Sequence, residues 1–240
     1  MRYPTGRLAL QSASLTVHPG EFAVILGANG CGKSTMLRII AGMQKPTAGE
    51  VRVAGQDITR LNGRALSDAR MSLGMVFQHA HLVKRRSVVA NVTTGTLGRY
   101  RNMFTALGGL PRQELPHALD CLQQVGLTQF ARQRASTLSG GQAQRAAIAR
   151  ALAQRPRALL ADEPVASLDP EAAEEVMRLL RRLASEQGMG VLCVLHQPDL
   201  ARRYADRLLG MRQGVIAFDG APASIPQAAI NDLYEGFSPS

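Results

Sequence analysis

The stretch GANGCGKST, Gly27 to Thr35, satisfies the spacing G-x-x-x-x-G-K-[ST] through Gly27, Gly32, Lys33 and Ser34. Glycines let a backbone curl so that successive N–H groups converge on an anion. Ala28, Asn29, Gly30 and Cys31 complete the predicted curl. In such a loop the lysine supplies a point charge to outer phosphates, and the serine hydroxyl ligates Mg2+. Thr35 adds a further hydroxyl near the α-phosphate. An apolar run, FAVIL, precedes the loop and a helical pattern follows it. That context predicts a nucleoside triphosphate site.

A second element must hold the metal and activate water. RALLADEP ends an apolar run in adjacent carboxylates. Asp162 is expected to hold Mg2+ through water, and Glu163 to polarise the attacking water as general base. Two more polar residues close comparable runs: Gln78 ends SLGMVFQ and His196 ends MGVLCVLH. Gln78 is expected to touch Mg2+ or the water. A neutral His196 is expected to hydrogen-bond the γ-phosphate and Glu163.

The stretch TLSGGQAQR, Thr137 to Arg145, presents paired glycines behind a serine at the start of a helix. A helix N-terminus attracts anions with only about half an elementary charge. Without a lysine, such a site binds phosphate weakly unless another loop presents one. The chemistry fits a clamp completed by assembly. Cys31 stands near a helix N-terminus, which lowers thiol pKa. Nucleotide is therefore expected to shield it from alkylation.

These groups need a scaffold that brings strand ends together. LALQSASLTV and EFAVILG read as strands, Lys33 to Met43 as a helix and GEVRVAG as a hairpin strand. From about His79 to Ala135, helical segments alternate with Gly/Pro breaks. RALLADEP is a buried strand, and Pro170 to Gln187 a helix with Asp169 as N-cap and Pro170 first. MGVLCVLH, a helix from Asp199 to Arg207, and the hairpin RLLGMRQGVIAFDG follow. Buried strands alternating with helices predict a parallel sheet in an α/β core.

The bulk numbers narrow the class. At 240 residues and 45% apolar, the chain fits one large domain or a core with a subdomain. No apolar run approaches the ~18 residues that cross a bilayer, and the N-terminus does not resemble a secretory signal. Three scattered cysteines form neither metal spacing nor a disulfide framework, in keeping with a cytosolic location. The charge of +10 rests on 25 arginines and three lysines with only short clusters, which reads first as charge spread over solvated faces and second as affinity for nucleic acid, an anionic membrane surface or nucleotide. A nucleic-acid-associated ATPase is one such reading. It lacks interleaved aromatics, with ten in the chain and no cluster, so no nucleic-acid partner is expected.

The phosphate loop, Gln78, LSGGQ, LADEP, SLD (Ser167 to Asp169) and His196 occur in that order. Together they resemble the ATPase subunits of ABC transporters over essentially the whole chain. The resemblance implies a P-loop NTPase (RecA-like) core with a mainly parallel sheet, an N-terminal antiparallel β subdomain and an inserted helical subdomain. On this reading residues 1–78 and 136–223 form the core with the β subdomain. Residues 79–135 form the insert and 224–240 a tail, a docking helix or a frayed end. ATP and Mg2+ are the implied cofactors. The family also implies a head-to-tail dimer, in which Ser139, Gly140, Gly141 and Gln142 act in trans on the partner's γ-phosphate. Asp169 would line the seam and couple the sites, and Tyr3 would stack on adenine.

Without fused membrane spans or a second ATPase half, the chain looks like a stand-alone importer subunit. The segments LADEPVASLDPE, LHQPDLARRYADRLLGMRQGVIAFDG and FQHAHLVKRRSVVANVTTGTLGRY are similar to those of phosphonate or phosphite importers. That implies two permease chains, a periplasmic binding protein acting indirectly, and a peripheral position on the cytoplasmic face of the inner membrane. The stretch from Gln78 to about Tyr100 would dock the permease. An importer of a different anion and a soluble ATPase on a phosphonate-degrading complex remain alternatives.

Overall fold

The computed structural model describes residues 1–2, 6, 8–100, 105 and 109–235. In chain order its elements are β1 (Phe22–Leu26), α1 (Lys33–Ile40), β2 (Arg52–Val53), β3 (Gln56–Asp57), α2 (Gly63–Arg70) and β4 (Leu73–Val76). Then come α3 (Val88–Thr93), α4 (Leu115–Gln124), α5 (Gly140–Ala153), β5 (Ala158–Asp162), α6 (Pro170–Gln187) and β6 (Gly190–Val194). The chain closes with α7 (Pro198–Tyr204), β7 (Arg207–Arg212), β8 (Val215–Gly220) and α8 (Gln227–Asn231).

One six-stranded sheet has the order β4-β5-β6-β1-β7-β8. Its first five strands are parallel, and β8 returns antiparallel to β7. Every residue of β1 and β6 is buried. This is why both read as unbroken apolar runs, since a parallel sheet is covered on both faces. Alternation still decides the face: Phe22, Val24 and Leu26 enter one core, Ala23 and Ile25 the other. On the first face lie α3 to α7. On the second lie α1, α2 and the β2–β3 ribbon.

The expected strand LALQSASLTV is not one. Between residues 8 and 17 only Leu8 makes a bridge, with Arg2, and Ser12 turns the chain at φ 47°. Ala13, Leu15 and Val17 nonetheless pack against the second core at every other position. The period-2 pattern reported which side chains face inward, not a ladder partner. The antiparallel β part near the N-terminus is the short β2–β3 ribbon. Two helices also stop short of their predicted ends, α1 at Ile40 and α7 at Tyr204, whereas α6 spans Pro170–Gln187 as predicted.

The inserted stretch is zipped at its neck. Val88 and Val89 N–H donate to the carbonyls of Gln133 and Ala131, and Ala135 N–H to Arg86 O, each at 2.9 Å. Its apolar residues, Val88, Val92, Cys121 and Leu122, join the same core as Ile148 and Leu159, so the insert shares the first-face core. The tail also returns to that core through Ile225, Ile230 and Leu233. The Arg202 guanidinium holds it by donating to Pro222 O (2.8 Å) and Ile225 O (2.7 Å).

Candidate functional site

The order of the strands explains the site. Residues at the carboxyl ends of β4, β5, β6 and β1 meet at one rim, where open α/β sheets place ligands. Along that rim stand Gln78, the Asp162–Glu163 pair, His196 and the phosphate loop. Four segments spread over 170 residues of sequence thus become neighbours through pairing alone.

A cleft of about 420 Å³ opens there, lined by Asn29, Gly30, Gly32, Lys33, Ser34, Thr35 and Glu163, with Ala9 on its wall. Gly32 caps α1 with φ 120°, in the left-handed region. A Cβ at Gly32 would lie 2.5 Å from Ala9 O, so the position needs glycine twice over. Because the cap has no side chain, the first N–H groups of α1 are left for an anion. Lys33 is 4% exposed, and its ammonium donates to Gly27 O (2.7 Å) and Ala28 O (3.0 Å). Its third donor meets only Cys31 Sγ, at 3.9 Å, and is the one a phosphate in the cleft would take. Burial lowers the Lys33 pKa, and the nearby charges of Cys31, Glu163 and Asp162 oppose that shift. Ala9 is the lining residue that sequence reasoning missed, since nothing about an alanine marks a site.

Ser34 Oγ donates to Asp162 Oδ1 across 3.2 Å. Burial raises the Asp162 carboxyl pKa; the Ser34 bond lowers it, and the charge of Glu163 raises it further. A half-buried carboxylate beside a second carboxylate favours a cation. Two hard oxygens about 3 Å apart suit one edge of the octahedron that Mg2+ prefers, with waters and phosphates completing it. The residues fit Mg2+. Glu163 has φ 52°, rare for a residue with a side chain. Its Oε1 lies 2.5 Å from His196 Nε2. A carboxylate only accepts, so Nε2 carries the shared proton. The expected Glu163–His196 pair is therefore present. Gln78 is exposed just past β4, while Gln78, Asp162 and His196 stand beside the cleft's lining, not in it.

The LSGGQ residues are absent from that lining. Instead they build the start of α5. Ser139 Oγ accepts from Gln142 N–H (3.2 Å), and Gln142 Oε1 accepts from Ser139 N–H (3.0 Å), a complete capping box. Ser139 and Gly140 are exposed. Gly141 is buried, and a Cβ there would lie 2.8 Å from Ala172 Cβ, so the signature turn seats closely on the start of α6. Asp169 N-caps α6, its Oδ1 accepting from Ala172 N–H at 2.9 Å. Tyr3 lies outside the described residues.

The expectation of a lowered Cys31 pKa is not met. It is 2% exposed, and burial raises its thiol pKa, outweighing the Lys33 charge beside it. Desolvation defeats the helix terminus. Cys121 and Cys193 are buried as well. Thiol titration of the native chain is expected to be slow, alike with and without ATP, and to reach all three thiols only in denaturant. Fast native labelling of Cys31 would refute this.

The ABC transporter family model matches residues 10–166. The chain is 48% identical, over 98% of its length and 89% of the relative's, to "Phosphonates import ATP-binding protein PhnC" of Thiobacillus denitrificans. It is 49% identical to the protein of the same name in Frankia casuarinae, over 95% and 90%. Among solved structures, the dimeric bacterial ABC transporter cassette MJ0796 superposes with a TM-score of 0.77 at 35% identity, covering 90% of this chain and 92% of that one. Its post-hydrolysis dimer, bound to ADP and Pi, gives 0.76 at 35% identity, with 90% and 92% covered. No helix among the described residues is long and apolar enough to cross a membrane. With a phosphate loop, a carboxylate pair and a signature helix on this fold, the chain belongs to the ABC transporter family.

Proposed function

We propose that this chain is the ATP-hydrolysing subunit of an importer of phosphonates or a closely related phosphorus oxyanion. It would work as a head-to-tail dimer on the cytoplasmic face of the inner membrane, beneath two permease chains. The observation that carries this reading is near-half identity, over almost the whole chain, to proteins named for phosphonate import. The cargo would never touch this subunit; a binding protein outside the membrane would deliver it.

The residues divide the work. Backbone N–H groups from Gly27 to Lys33 cradle the β-phosphate, Lys33 neutralises the β/γ-oxygens, and Tyr3 stacks on adenine. Ser34 and Asp162 would hold Mg2+, with Gln78 beside them; bound there, the ion neutralises charge on the phosphate oxygens. Glu163 takes the proton of the attacking water. His196 orients Glu163 through their 2.5 Å contact. Ser139, Gly140, Gly141 and Gln142 close on the partner's γ-phosphate, and Asp169, at the start of α6, lines the seam. Residues 79–135 form the insert, and the segment from Gln78 to about Tyr100 docks the permease. ATP binding closes the dimer and hydrolysis reopens it, driving the permease between its two orientations.

The test is reconstitution with the permease pair in proteoliposomes. ATP hydrolysis is expected to rise when a binding protein loaded with 2-aminoethylphosphonate or phosphite is added. Equal stimulation by a sulfate-loaded protein, or copurification with soluble lyase subunits in place of a permease, would refute the assignment.

A further inference from the structure

The rim position of Gln78 is set by α5. Gln144 is 2% exposed, and its Nε2 donates to Phe77 O at 2.8 Å. Two turns further along α5, Arg150 donates to His81 O through Nη1 and to Ala80 O through Nη2, each at 2.8 Å. These bonds bracket Gln78 on both sides. Just past the helix, Gln154 Nε2 donates to Arg70 O and Leu73 O, both at 2.8 Å, at the other end of β4. The helix and its cap residue thus hold β4 at both ends and the loop after it as far as His81. The loop itself is bent, with His81 at φ 46°.

The same helix begins at the signature. Ser139 caps it, and Gln144 follows only two residues after Gln142. We propose that Gln144 and Arg150 are positioning residues that tie the loop carrying Gln78 to the signature helix. When the signature engages the partner's nucleotide, α5 carries Gln78 of its own site with it. Each half of the dimer then aligns its own metal-side glutamine only while clamping the other half's ATP. The inference rests on the role given to Gln78 above. It assigns no contact with nucleotide to Gln144 or Arg150.

A double-mutant cycle on the full chain separates this from a structural role. Gln144→Met keeps the shape and removes the donor. It is expected to lower kcat about five-fold, the worth of one buried hydrogen bond in the transition state. The KM for ATP should stay near the parent value, because the phosphate-loop bonds are untouched, while the Mg2+ midpoint rises. In a Gln78→Ala background the same substitution should cost nothing further. An equal loss in both backgrounds would overturn the proposal, as would an unchanged kcat and Mg2+ midpoint in the single variant. If Gln144→Met does not fold, Arg150→Lys, which reaches one carbonyl where Arg150 holds two, enters the same cycle with the same expected outcomes. Full turnover by Gln78→Ala alone would instead sink the underlying role of Gln78.

Discussion

Glu163→Gln is expected to cut steady-state ATP hydrolysis by at least about a hundredfold while leaving ATP binding intact. Glutamine keeps the length and planarity of the side chain, so the left-handed backbone at φ 52° and the packing beside His196 need not change. What disappears is the proposed proton acceptor. The cleft's binding groups, Lys33 and the N–H groups ahead of α1, are untouched, so equilibrium binding of ATP should hold. In the proposed dimer, bound ATP that is not cleaved would keep the two chains closed. Phosphate release gives the rate and size-exclusion with ATP gives the dimer. Undiminished turnover would remove Glu163 from its role as base.

His196 supports that expectation from the other side. Its Nε2 donates to Glu163, so Glu163 stays oriented as long as His196 does. Both residues sit at the ends of adjacent strands, β5 and β6, whose register pairs Asp162 with Val194. The pair is therefore as rigid as the sheet. A mechanism that needs a carboxylate held within tenths of an ångström is well served by strand ends.

Residues chosen by chemistry were legible in the sequence. Phosphate binding needs glycines, a lysine and a hydroxyl at fixed spacing, so Gly27 to Thr35 announces itself. Apolar runs ending in Asp162–Glu163, Gln78 and His196 marked strand ends, and the sheet joined them. Contacts that depend on the fold were not legible. Gln144 reaches a carbonyl 67 residues away, and no local pattern marks a glutamine for that. Leu8 to Val17 alternates like a strand because its side chains pack like one, but pairing partners leave no trace in alternation. For Cys31, the helix terminus was visible and the burial was not, and burial is the larger effect. Asp169 was legible twice, as a cap and by family resemblance; the capping bond is the part visible within one chain.

Ser139→Arg is expected to abolish ATP hydrolysis while the single chain still binds ATP with nearly parental affinity. Ser139 is exposed at the first turn of α5, outside the lining of its own chain's cleft. A bulky cation there adds nothing to that cleft's phosphate loop and takes nothing from it. In a head-to-tail dimer the same arginine stands where the partner's γ-phosphate must enter, and closure fails. Loss of the capping bond to Gln142 would by itself cost about 1 kcal/mol. Ser139→Ala separates the two effects, because it removes the cap without filling the space. The alanine variant should therefore keep measurable turnover at a slightly lower melting temperature, and the arginine variant should keep none. Normal hydrolysis by Ser139→Arg would show that the signature does not serve its partner's nucleotide.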